Sequence, residues 1–72
     1  MKSWLYVTAV SGTDANGEPT ILFEHCVVMA RDVDEACQKG WRQFCKAEPQ
    51  LPFPAGFTRT HRAEYAVQLV AQ

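Results

Sequence analysis

The stretch R-D-V-D-E-A, residues 31–36, decides the fold, because the hydrophobic pattern changes its period there. Upstream, T-I-L-F-E-H-C-V-V-M-A (20–30) is dense in β-branched and aromatic residues and reads as a strand. Downstream, apolar residues recur at Val33, Ala36, Cys37, Trp41, Phe44 and Cys45, which is one face of a helix. Asp32 can cap the first N–H groups, Glu35 stands where the reciprocal half of a capping box belongs, and Asp34 adds negative charge at the positive end of the dipole. Lys39, Arg42, Gln43 and Lys46 take the opposite face, and Pro49 ends the helix. Gly40 costs about 1 kcal/mol relative to Ala inside a helix, which a close crossing over a strand would explain.

Working outward from that switch, Ser3–Val10 (S-W-L-Y-V-T-A-V) reads as the first strand, ending at Ser11-Gly12. Asn16-Gly17 supplies the positive φ of a hairpin turn, and Pro19 suits the first position of the next strand. On the far side, P-Q-L-P-F-P-A-G-F (49–57) is a stiff extended crossover, since each residue before a proline is pushed toward β or polyproline geometry. A third strand is expected from about Ala63 to Val70, where Ala63, Tyr65, Val67 and Leu69 alternate with Glu64, Ala66, Gln68 and Val70. It extends back toward Phe57 as one long strand or as a bent pair. The expected fold is thus a single α+β domain over residues 1–72, β-β-α-β. Its antiparallel sheet has three strands in the order 2-1-3, or four if residues 57–62 pair separately, with one helix on one face.

Composition sharpens this plan. Of the 72 residues, 47% are apolar and 11% aromatic, too many for a disordered chain and more than one helix can bury. On the first strand Trp4, Tyr6 and Val10 oppose Leu5, Val7 and Ala9; on the second Ile21, Phe23, Val27 and Met29 oppose Leu22, Cys26, Val28 and Ala30. Both faces of the sheet are apolar, so the face without the helix is expected to meet another protein surface. The net charge of -1 provides no bulk attraction to nucleic acid or acidic membranes. Three cysteines, an odd number without a C-x-x-C pair, point to free thiols and a reducing compartment. The short apolar run at the start is broken by Thr8 and reads as a strand rather than a leader, so a cytoplasmic protein with no membrane partner is expected.

No catalytic or metal motif stands out. Cys26, Cys37 and Cys45 lie on apolar faces and read as small core residues, while His25 and Cys26, adjacent in a strand, point to opposite sides and cannot form a zinc pair. Asp14, Asn16 and Glu18 mimic a calcium loop, but the glycine is misplaced and the closing bidentate Glu is missing. No cofactor is expected. The expected function is a non-enzymatic protein–protein interaction module, a homodimer or a subunit of a larger complex, such as a phage-type or accessory inhibitor or adaptor. Its partner-binding residues are expected to be Phe53, Phe57, Arg59, His61 and Arg62, with Trp4 and Tyr6 on the open sheet. For Leu51, Phe53 and Phe57, packing over the core competes with that role. The alternatives are a small nucleic-acid-binding protein using Arg59, His61, Arg62 and the basic helix face, and a thiol-dependent enzyme.

Overall fold

A computed structural model describes residues 1–70. Strand β1 (Lys2–Thr13) and strand β2 (Pro19–Ala30) form a hairpin, helix α1 (Val33–Ala47) follows, a short 3-10 turn (Glu48–Gln50) carries Pro49, and strand β3 (Thr58–Leu69) closes the sheet. The order is β2-β1-β3 and both pairings are antiparallel, so the α+β, β-β-α-β arrangement expected from the sequence is the one adopted. Residues 58–69 make one continuous strand and the sheet has three strands, not four.

Local chemistry explains the connections. Asp14 organises the hairpin loop: its carboxylate accepts the backbone N–H groups of Asn16 and Glu18 at 2.8 and 3.0 Å, and Gly17 takes a φ of 77°. The Asp14 side chain is thus engaged in the turn. At the start of α1, Asp32 accepts the Glu35 N–H at 2.9 Å, as a cap should. The Glu35 carboxylate reaches past Asp32 to the Arg31 N–H and also takes two bonds from the Arg31 guanidinium, so the reciprocal half of the box lands one residue earlier than expected. These contacts hold the Glu35 carboxyl below its usual range.

The helix buries a narrower stripe than its sequence pattern implies. Ala36, Gly40 and Phe44 are buried, Cys37 and Trp41 are half-buried, and Val33 and Cys45 are exposed. Cys45 is therefore not a core residue. The stripe is narrow because it is set by close approach: a Cβ at Gly40 would fall on the Tyr6 ring. On the face that carries the helix, Trp4, Tyr6, Thr8 and Val10 of β1 are buried, with Val28 and Ala30 of β2. Trp4 Nε1 donates to the Ala30 carbonyl at 3.0 Å, and Thr8 Oγ1 donates to the Ala63 carbonyl at 3.1 Å, so the buried polar atoms are paired.

Strand β1 runs past Ser11-Gly12, where its sequence pattern suggested an end. The reason lies in β3. Ser11 pairs with His61 and Gly12 with Arg59, so Thr60 is an extra residue, a bulge. A side chain at Gly12 would collide with the Thr58 carbonyl, and glycine is what lets the two strands stay together there.

The Gly40 approach has a testable sign. Gly40→Ala should gain about 1 kcal/mol of helix propensity yet lose about 1–3 kcal/mol to overpacking against Tyr6. A net loss of stability in urea unfolding is expected, and a net gain would show that the helix does not approach Tyr6 this closely.

Candidate functional site

The face of the sheet away from α1 is uncovered. Residues directly opposite one another across an antiparallel pair share a face, so the register assigns every position. The open face carries Leu5, Val7 and Ala9 from β1, flanked by Ser3 and Ser11. From β2 it takes Ile21, Phe23, His25, Val27 and Met29, and from β3 His61, Ala63, Tyr65, Val67 and Leu69. Ile21, Phe23 and Val27 are 60%, 69% and 61% exposed, and Tyr65, Val67 and Leu69 on the other edge are also exposed.

Charge is distributed in the reverse of the ordinary pattern. The charged residues of the three strands are Lys2, Glu24, Arg59, Arg62 and Glu64, and every one pairs at a register position on the helix side. Among the described residues the open face has no Asp, Glu, Lys or Arg. An antiparallel sheet with one solvated face normally turns its polar residues outward; here the charged ones flank the helix and mostly apolar ones face out.

Trp4 and Tyr6, expected on the open sheet, belong to the other face. They are 8% and 1% exposed under α1, and the sequence left the two faces of β1 equally apolar, so only the docking of the helix could choose between them. Tyr6 donates its hydroxyl to Glu64 Oε1 at 2.7 Å. Burial, and then this bond to a carboxylate, hold the Tyr6 phenol well above the usual tyrosine value of about 10.

The run Arg59, His61, Arg62 is split between the faces. Strict alternation would send Arg59 and Arg62, three apart, to opposite sides; the extra residue Thr60 brings both to the helix side, and His61 to the open one. There the Arg62 guanidinium lies 3.7 Å from the centre of the Trp41 ring and that of Arg59 lies 5.4 Å away. Trp41 in turn stacks on Phe44 at 4.9 Å. Glu48 pairs with Arg59 at 3.1 Å and Glu64 with Arg62 at 3.6 Å. These two arginines, which had no structural duty in the sequence, tie β3 to the helix through the face of an indole. No periodicity argument reveals this, because the bulge that creates it breaks the period.

Phe53 and Phe57 stack on each other at 4.8 Å and are half-buried, while Gly56, at a φ of 72°, sits against Ala15 of the hairpin loop. Leu51 joins Tyr6, Thr8 and Phe44 around a cavity of about 180 Å³ at the end of the helix. The crossover therefore carries the chain from the end of α1 to the hairpin end of the sheet.

The thiols are dispersed. Cys26 faces the helix side, His25 the open side, and burial pushes the Cys26 and Cys37 thiols up, away from thiolate. Among the described residues no cluster of three or more His, Cys, Asp or Glu could hold a metal ion, and no helix is long and apolar enough to cross a membrane. No protein-family model, curated protein or solved structure matches the chain.

Two measurements check this geometry. The folded Tyr6 phenol keeps its proton while an unfolded one loses it near pH 10, so this group's contribution to stability is complete below about pH 10 and is lost as the pH rises further. Between about pH 9 and 11 the stability of the wild type should fall faster than that of Tyr6→Phe, and parallel curves would contradict the buried phenol. For the clamp, a double-mutant cycle of Trp41→Leu with Arg62→Met should return a coupling of about 0.5–1 kcal/mol in urea unfolding. Additive losses would mean that the stacking contributes nothing.

Proposed function

We propose that the protein is a non-enzymatic interaction module that forms a homodimer by stacking the open sheet faces of two copies. The observation that carries this reading is the charge distribution: strands that place every charged residue beside the helix and none on the exposed face are built for that face to be covered. Solvated sheets carry polar residues outward, and an exposed apolar patch beyond a few hundred Å² marks a contact surface.

Dimensions support a second copy as the occupant. Strands of 12 residues span about 40 Å, and three of them about 14 Å with their side chains, so the face offers on the order of 500–600 Å². Two such faces stacked about 10 Å apart remove roughly 1,000–1,200 Å² in projection, which clears the threshold of about 1,000 Å² for a biological interface. A charge-free face has no pattern with which to select a charged partner, and a two-fold axis sets the same apolar patch of both copies against each other without like-charge repulsion.

Other readings find less support. Nucleic-acid binding through Arg59, His61 and Arg62 needs a continuous basic run, whereas the two arginines are engaged at Trp41 with Glu48 and Glu64 beside them. A thiol enzyme needs an activated cysteine, and burial pushes two of the three thiols the other way. Within this proposal the positions that matter are Phe23, Val27, Tyr65, Val67 and His61, rather than Trp4, Tyr6 or the Phe53–Phe57 pair.

Sedimentation equilibrium at micromolar concentration should return twice the mass of the chain. Phe23→Glu, at an exposed position, should leave the fold intact by circular dichroism and weaken self-association about a hundredfold or more, because a carboxylate would be buried without a partner. A wild-type monomer across the micromolar range would leave the face to a different protein and overturn the homodimer.

A further inference from the structure

The free edge of β2 is a surface separate from the open face. In an antiparallel strand, backbone N–H and C=O groups point alternately to the two sides. The Met29 carbonyl accepts from Lys39 Nζ at 2.7 Å and so faces away from β1. The same parity turns the backbone groups of Val27, His25, Phe23 and Ile21 outward. β2 is the terminal strand of the sheet, and its register with β1 runs from Thr13↔Pro19 to Lys2↔Ala30 without a bulge. A straight edge therefore presents donor–acceptor pairs every second residue, about 6.8 Å apart. The opposite edge is built differently: β3 carries the Thr60 bulge and two arginine–glutamate pairs, the devices by which native sheets blunt an edge.

Above the β2 edge runs a row of cations. Lys39, Arg42 and Lys46 of α1 line a groove whose floor is Val27, Val28 and Met29, and no carboxylate lines it. Arg42 and Lys46 have no ion pair among the described residues, and Lys39 has a 3.8 Å contact with Glu35. Two cations without an ion pair among the described residues, with Lys39 beside them, over the free edge of β2 are complementary to one kind of ligand.

We propose that the β2 edge binds an extended acidic segment of a partner protein as a fourth strand. Side chains of the added strand alternate between the two faces. Those on the helix side meet Lys39, Arg42 and Lys46, and those on the other side lie beside Val27 and Met29 and widen the apolar face. The fitting sequence alternates acidic with apolar residues beside the three cations at Val27–Met29, and carries a neutral residue opposite Glu24, whose carboxylate lies on the same side of the edge. Lys39 leaves the Met29 carbonyl for an incoming carboxylate, and that carbonyl then accepts a peptide N–H. Phosphates of a nucleic acid could meet the same cations but have no use for the strand edge, which favours the peptide. This inference does not depend on the homodimer, since edge and face are different surfaces.

The test is fluorescence anisotropy with a labelled peptide of alternating Glu and Val, with Thr in place of the Glu that would face Glu24, long enough to span Ile21 to Met29. Binding in the micromolar range is expected. The double variant Arg42→Glu with Lys46→Glu, at exposed helix positions, should weaken it about tenfold or more. The same peptide N-methylated at the amides that face β2 keeps its charge but loses the donors, and should also bind about tenfold more weakly or worse. Equal affinity for the methylated peptide, no binding of the unmethylated one, or a duplex DNA held as tightly and with the same dependence on Arg42 and Lys46, would each overturn the proposal.

Discussion

One helix has to serve a sheet with two faces, and the rest of the molecule follows from that shortage. A helix of 15 residues is about 22 Å long against strands of about 40 Å, so α1 covers part of one face and none of the other. The small residues Ala36 and Gly40 let it settle directly on Tyr6 and the Trp4–Val28–Ala30 cluster, which makes a thin but close-packed core. The crossover from Leu51 to Phe57 then bridges from the helix end to the hairpin end, bringing Gly56 against Ala15.

Charged residues resolve the remaining tension on the helix side. A narrow helix leaves the flanks of its face wet, and the strands put their long charged side chains there: Arg59 and Arg62 against Trp41, and Glu64 beneath the Tyr6 hydroxyl. The bulge at Thr60 is the device that makes this work. By adding one residue it turns two arginines to the same side, and Gly12 opposite it gives the room. The face opposite the helix is thereby kept free of Asp, Glu, Lys and Arg among the described residues.

Much of the plan was legible in the chain. The switch from alternation to a 3.6 period at residues 31–36 set helix against strand, Asp32 marked the helix start, Asn16-Gly17 the hairpin, and Gly40 the close crossing. These are local signals: capping, turn geometry and periodicity depend on neighbours a few residues away. That both faces of the sheet would be apolar, with one helix to cover them, also follows from alternation and element count. The exposure of Cys45 depends on how the helix is rotated on the sheet, and the reach of the Glu35 carboxylate to Arg31 is a local contact that the capping pattern placed one residue later.

What the sequence determined by itself was the order of elements, the sheet topology and the presence of an uncovered apolar face. Which face that is was decided only in three dimensions, because Trp4 and Tyr6 and their neighbours Leu5 and Val7 offer equal hydrophobicity, and the choice is made where Gly40 admits the Tyr6 ring. The duty of Arg59 and Arg62 was likewise hidden. A bulge arises from the fit between two strands distant in sequence, and no pattern within β3 alone places an arginine over the Trp41 ring.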